Sequence, residues 1–347
     1  MKKTAFKESK GSTELTKKMI QNLEGLKKVR EEISRVIVGQ EGVVELALIA
    51  LLCEGHVLLE GVPGLGKTLL VKTLADTLDL KFSRVQFTPD LMPADIIGTS
   101  MVMQDQSKNF NLSFEPGPVF ANLMLGDEIN RASPKTQSAL LEAMQERTVT
   151  VRGERHELPK PFLVLATQNP LEMEGTYPLP EAQVDRFFFK ILVNQPSESE
   201  LETIIERTVG VNTPVVEPIL GAAELKTMQL AVREVVVPPH VTNYTARLIL
   251  ATQPDQDSAS ARVKQFVKYG AGPRGAQSLI LAAKARALMS GRYNVSLEDI
   301  QKLVQPSLRH RVALNFDGLS EGIVIDVLLN EIISGLPTDK TRPEEIS

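Results

Sequence analysis

His56-Val57-Leu58-Leu59-Glu60 runs directly into Gly61-Val62-Pro63-Gly64-Leu65-Gly66-Lys67-Thr68-Leu69, and the reading of the whole chain turns on this stretch. The opening residues form an apolar run of strand length, and Gly61 to Thr68 match the pattern Gly-x-x-x-x-Gly-Lys-Thr. Glycines at this spacing let backbone N–H groups turn inward around phosphate oxygens with no side chain in the way. Lys67 adds positive charge to the same oxygens, and Thr68 offers a hydroxyl to Mg²⁺. Beyond the loop, Leu69, Leu70, Leu74 and Leu78 mark the apolar side of a helix, whose N-terminus directs its dipole at the phosphates. The bland alternative is a Gly-rich turn with a solvated lysine. A strand before the loop and an amphipathic helix after it favour nucleotide phosphates, so ATP and Mg²⁺ are the expected ligands, held along Gly61–Leu69.

Two further strand ends carry candidate chemistry. Leu123-Met124-Leu125-Gly126 is apolar and ends at Asp127-Glu128. In a phosphate-loop protein the first acid suits the metal and the second can polarise the attacking water, so Asp127 is assigned to Mg²⁺ and Glu128 to the catalytic base. Phe162–Thr167 is apolar and ends at Gln168-Asn169-Pro170, where the Asn169 amide can hold that water or the γ-phosphate. Alone, each has an ordinary counterpart: solvated acids at a strand end, and a routine Asn-Pro turn. Downstream of the phosphate loop they form a set.

The organisation agrees. A chain of 347 residues favours two domains. From Val36 to about Gln195, apolar runs alternate with helical patterns, the signature of a parallel α/β sheet. The expected strands are His56–Glu60, Ser83–Phe87, Leu123–Gly126, Phe162–Thr167 and Phe187–Val193, read as continuously apolar and therefore covered on both faces. After Gln195-Pro196, Ser197 and Glu200 form a capping box, and helical periods follow to residue 336 with no comparable strands. Residues 1–35 read as a polar, partly helical leader and 337–347 as a disordered tail.

Composition narrows the function classes. Hydrophobic residues are 42% and charged ones 24%, ordinary for a globular protein, and the net charge of −4 argues against a globally basic nucleic-acid binder. No stretch approaches the roughly 20 apolar residues that span a bilayer, and the N-terminus lacks a signal-peptide core, so a reducing cytoplasm is the simplest location. The lone Cys53 lies in an apolar run and reads as a core residue. The four histidines are too scattered for a metal site, and no Ser-His-Asp or Gly-x-Ser-x-Gly arrangement is evident.

Taken together the motifs resemble an AAA+ ATPase, and more narrowly the MoxR family. The narrower likeness is carried by Phe87-Thr88-Pro89-Asp90-Leu91-Met92-Pro93-Ala94-Asp95-Ile96, Gly117-Pro118-Val119-Phe120-Ala121-Asn122 and Asp127-Glu128-Ile129-Asn130-Arg131-Ala132. Gln137–Glu146, Ala166–Pro170 and Leu179-Pro180-Glu181-Ala182-Gln183-Val184-Asp185-Arg186-Phe187 extend it, and it covers about residues 36 to 335. Gly126, where related sequences more often have Ala, and Ala271-Gly272-Pro273-Arg274-Gly275 depart from the commoner pattern without removing a chemical group.

The resemblance implies an αβα sandwich with a five-stranded parallel sheet, an all-α lid, and a ring, usually a hexamer. It implies an insertion at about Thr99–Glu115 and a hairpin at about Arg147–Lys160, the latter also legible from Thr148-Val149-Thr150-Val151 followed by Gly153. It adds Val38 and Gly39 to the nucleotide-binding residues, makes Arg186 an arginine finger for a neighbouring subunit, and makes Arg274 a lid residue reaching back to the nucleotide. Arg131 stays open between an interface role and a local ion pair, and Arg309-His310-Arg311 reads as a solvated basic cluster. The implied activity is chaperone-like: ATP hydrolysis that remodels, assembles or activates a partner, often one with a von Willebrand factor A domain. A nucleic-acid motor of the helicase-related branch is the alternative, and a nucleotide-gated switch without turnover the third reading.

Overall fold

The computed structural model describes residues 10–104, 110–170, 175–209 and 214–338. Strands β1 (Val57–Glu60), β2 (Phe82–Gln86), β5 (Leu123–Asp127), β8 (Leu163–Gln168) and β9 (Phe189–Leu192) form one parallel sheet in the order β2-β5-β8-β1-β9. Between them, β3 (Gly98–Gln104) pairs with β4 (Phe110–Pro116), and β6 (Thr148–Val151) with β7 (Glu154–Glu157), as antiparallel hairpins. The first is the expected insertion, ordered as paired strands rather than a loop, with its tip at 105–109 outside the described residues; the second is the expected hairpin.

The sheet residues divide by alternation. Val57, Leu59, Leu123, Leu125, Leu163 and Leu165 enter the core on one face, while Leu58, Met124, Val164 and Ala166 enter a separate core on the other. That is the double coverage expected of central parallel strands. β2 departs from it: it lies at the sheet edge, Val85 enters the second core, and Arg84 and Gln86 are exposed on the opposite face. Gly126 fits a tight place, since a Cβ there would lie 3.2 Å from the Phe87 ring.

Helices α2 (Glu41–Leu52), α3 (Lys67–Thr77), α4 (Pro93–Ile97), α5 (Pro134–Glu146) and α6 (Glu181–Val184) complete the α/β layers. They are preceded by α1 (Lys10–Val36), and here the sequence reading needs correcting. Leu23, Leu26, Val29 and Ile33, spaced three and four apart, are buried in the same core as α2 and α3. From Leu23 onward the polar leader is therefore an amphipathic helix of the folded body.

The helical region comprises α7 (Glu198–Val209), α8 (Ala222–Glu234), α9 (Pro239–Ala251), α10 (Ala261–Phe266), α11 (Pro273–Met289), α12 (Leu297–Leu308), α13 (Phe316–Ser320) and α14 (Ile325–Gly335). A two-stranded ribbon of β10 (Val267–Tyr269) and β11 (Ala313–Leu314) is added to it. The capping box at α7 forms as read: the Ser197 N–H and hydroxyl both donate to Glu200 Oε2 at 2.7 Å. The expected tail lies outside the described residues from 339 onward.

The basic cluster after α12 is not a solvated surface. Arg311 is 5% exposed; its guanidinium donates to Asp185 Oδ1 at 2.9 Å and to the Phe187 carbonyl at 2.7 Å. His310 bonds the Phe187 carbonyl at 2.9 Å, and Arg309 donates to the Lys190 carbonyl at 3.1 Å while paired with Asp326. The triplet clasps the helical region onto the start of β9. Burial pushes His310 well below the usual histidine range, so it holds this contact as neutral imidazole, with Nε2–H as donor. Charges in a row look like surface in a sequence, but carbonyls at a strand start give buried guanidinium donors their partners.

Candidate active site

In a parallel sheet the C-terminal strand ends form one rim, and here β1, β5 and β8 deliver their chemistry to it. The phosphate loop leaves β1 and enters α3, whose N-cap is Gly66. Gly64 and Gly66 have φ of 86° and 72°, the left-handed region where a Cβ is strained. A Cβ on Gly61 would meet the Val193 carbonyl at 2.7 Å, so that glycine lets the loop cross close over β9. Lys67 Nζ donates to the Gly61 carbonyl at 2.6 Å. Partial burial draws this ammonium below the ordinary lysine range, against the opposing pull of the nearby Asp127 and Glu128 carboxylates.

The two acids at the tip of β5 are fixed by a residue of β8. The Thr167 hydroxyl donates to Asp127 Oδ1 at 2.6 Å and accepts the Glu128 N–H at 2.8 Å. Glu128 sits at φ 55°, ψ 53°, a left-handed backbone unusual for a non-glycine residue and one that surrounding contacts must sustain. The carboxylates are then linked from the edge strand. Arg84 donates to Asp127 Oδ2 at 2.8 Å and to Gln86 Oε1 at 3.1 Å, and Gln86 Nε2 donates to Glu128 Oε2 at 2.8 Å. Arg131 donates to that same Glu128 oxygen at 3.1 Å, so its contact is with the acid three residues before it. Asn169 follows at the tip of β8, 6% exposed.

Beside the loop lies a cavity of about 400 Å³ lined by Val38, Gly39, Gly66, Leu69, Leu201 and Ile204. Its apolar walls and its place against the phosphate loop suit a purine base. Gln40 borders it too: its Nε2 donates to the Leu65 carbonyl at 3.0 Å, and its Oε1 is a buried acceptor without a partner among the described residues. An acceptor there matches an exocyclic amine such as adenine carries. For a metal, the Thr68 hydroxyl in the first turn of α3 and the Asp127 carboxylate at the end of β5 are hard oxygen donors. Among the described residues no three His, Cys, Asp or Glu side chains gather to hold a metal. The hydroxyl of Thr68 and the carboxylate of Asp127 are oxygen donors of the kind Mg²⁺ takes alongside phosphate and water.

Arg186 and Arg274 do not join this group. Arg186 precedes Phe187 and Phe188 at the start of β9, where Phe188 N–H donates to the His56 carbonyl, at the end of the sheet opposite the loop. Arg274 Nη1 lies 3.3 Å from Asp185 Oδ2, beside Arg186. Both line a cavity of about 670 Å³ together with Arg233, Lys284 and Arg311. The expectation that Arg274 reaches back to its own nucleotide is thus corrected: β1 alone, roughly 13 Å long at 3.3 Å per residue, separates this face from the loop.

Sequence reasoning missed Arg84, Gln86, Thr167 and Gln40. For the first three the signal was alternation, since Arg84 and Gln86 share one side of β2 and Thr167 is the last buried residue of β8.

The family model for the ATPase family associated with various cellular activities (AAA) matches residues 56–189, and that for the AAA lid domain matches 259–327. Chaperone MoxR1 of Mycobacterium tuberculosis is 45% identical over 316 residues, covering 90% of this chain and 83% of that protein. The chain belongs to the MoxR family of AAA ATPases. Protein MoxR of Paracoccus denitrificans is 31% identical over 299 residues, covering 82% of this chain and 87% of its own. A crystal structure of a candidate ATPase from Cytophaga hutchinsonii superposes with a TM-score of 0.89 at 39% identity, covering 95% of this chain and 99% of that one. In this MoxR-family chain the AAA match contains the phosphate loop, both acids, Thr167, Asn169 and Arg186, and the lid match contains Arg274 and the Arg309–Arg311 clasp.

Proposed function

We propose that this chain is a Mg²⁺-dependent ATPase that hydrolyses ATP to ADP and phosphate, and that it works as a ring to remodel, assemble or activate a partner protein. The observation that carries the reading is the convergence of the left-handed phosphate loop with Asp127 and Glu128, both fixed by one Thr167 hydroxyl. In this account the base enters the cavity at Val38, Gly39 and Gln40, and Lys67 with the loop N–H groups holds the phosphates. Thr68 and Asp127 would hold Mg²⁺, whose charge would neutralise the phosphates and help orient the phosphoryl group. Glu128 takes the proton of the attacking water, and Asn169 orients that water from the neighbouring strand tip.

Ring action is supported by the place of Arg186 and Arg274 at the far end of the sheet from their own loop, a position suited to a neighbour's phosphates. The partner reading rests on the family: a protein with a von Willebrand factor A domain is the expected client. A net charge of −4 weighs against a nucleic-acid motor. The cytoplasm is the proposed location; among the described residues no helix is long and apolar enough to cross a membrane. Sedimentation of the Glu128→Gln variant with ATP tests the assembly. A ring-sized oligomer, usually six copies in the family, is expected, and a monomer at every concentration overturns the role given to Arg186.

A further inference from the structure

The contact between Arg84 and Asp127 places a guanidinium on the carboxylate proposed to hold the metal. Asp127 has two oxygens, and both are engaged: Oδ1 by the Thr167 hydroxyl at 2.6 Å, Oδ2 by Arg84 at 2.8 Å. The two contacts differ in kind. Thr167 is 1% exposed and fixed within β8, whereas the Arg84 side chain is 48% exposed on the sheet edge. An exposed ion pair is cheap to break, while a buried charge-assisted bond is not. Asp127 therefore keeps one oxygen pinned and has one that can change partner.

Resting on the proposed nucleotide site, we infer that Arg84 is a positioning residue for metal loading: a resident counter-cation that holds Asp127 Oδ2 and yields it to the divalent ion arriving on the nucleotide phosphates. The charges around the site fit this role. Arg84, Arg131 and Lys67 together face Asp127 and Glu128, so the acids are already balanced and draw a free divalent cation weakly. A metal carried by the phosphates brings its own oxygen ligands and needs only one carboxylate contact. The exchange is also transmitted. Arg84 holds Gln86 Oε1, and Gln86 holds Glu128 Oε2, so moving Arg84 loosens the chain of contacts that ends on the proposed base.

The test is the Mg²⁺ dependence of binding of a fluorescent ADP analogue, with Mn²⁺ binding by electron paramagnetic resonance as a readout independent of turnover. The full chain is compared with Arg84→Ala, Arg84→Gln and Arg84→Lys, each checked by thermal unfolding. The expected result is that Ala and Gln lower the half-saturating Mg²⁺ and tighten Mn²⁺ binding without nucleotide by roughly two- to five-fold, the scale of a lost exposed pair. Lys should stay near the native value. Unchanged or raised half-saturating Mg²⁺ in Ala and Gln overturns the inference while leaving the nucleotide site intact. Failure of the native chain to bind the analogue at any Mg²⁺ concentration overturns both, and shows itself before any substitution is compared.

Discussion

Thr167→Val removes one oxygen from the interior of β8 and keeps the shape of the side chain. Thr167 is 1% exposed, and its hydroxyl both donates to Asp127 and accepts from the Glu128 N–H. A bond to a charged group is worth about 1.5–3 kcal/mol, and a buried N–H left unmatched costs about 1–3 kcal/mol. The sum is an upper limit, because Asp127 keeps Arg84 on its other oxygen. The expected loss of stability is therefore about 2–4 kcal/mol. The exposed Arg84–Asp127 pair should contribute less than about 1 kcal/mol, which makes Thr167 the dominant constraint on the acids. Function should fall as well. A left-handed backbone like that of Glu128 costs about 1–3 kcal/mol, so losing its N–H partner lets the turn relax. A displacement of about 1 Å in a reacting group is worth roughly 100-fold in rate. Urea unfolding followed by circular dichroism, alongside steady-state phosphate release, measures both, with Thr167→Ser as the control that restores the hydroxyl. A valine variant as stable and as active as the serine variant refutes the argument.

Other expectations follow from the same contacts. Arg186→Ala should lower turnover by about 10³-fold with nucleotide affinity kept, and mixing it with Glu128→Gln should recover activity; no recovery contradicts action between subunits. Arg311→Met should cost about 2–4 kcal/mol in urea unfolding by stripping Asp185 and the β9 carbonyls of their donor, whereas Lys302→Ala, which breaks an exposed pair, should stay within about 0.5 kcal/mol. His56 gives a pH signature: its Nε2–H donates to the Met144 carbonyl, its Nδ1 accepts the Val164 N–H, and burial pushes its pKa down to about 4. The unfolded chain takes up a proton near pH 6.5 and the folded chain does not, so stability should fall as pH drops from about 6.5 to 4, by up to about 3 kcal/mol. Urea midpoints across that range measure it, and a His56→Gln variant should show a shallower slope.

The strands were legible where they are central. β1, β5 and β8 are buried on both sides, so their runs are continuously apolar, and each run ends where the chemistry begins. β2 reads as a strand but as a continuously apolar one, whereas only Val85 is buried and Arg84 and Gln86 share the opposite, exposed face. The phosphate loop and the acid pair could be read because their spacing lies within one segment. Thr167, Arg84 and Gln86 could not, because their partners are 40 to 43 residues away and register alone joins them. Arg274 was misplaced for a similar reason: the sequence puts it at a helix start but cannot say which end of the sheet that helix meets. Arg311 and α1 show the limit of reading charge as surface, since one finds buried carbonyls and the other covers its core with one face of a Lys-rich helix.

Steady-state phosphate release from Mg²⁺-ATP by the full chain and by Glu128→Gln tests the central claim most directly. Turnover above background in the native chain is predicted, with a drop of about 10²–10⁴-fold in the variant and nucleotide affinity preserved. Equal, background rates for the two, or full turnover in Glu128→Gln, would contradict it.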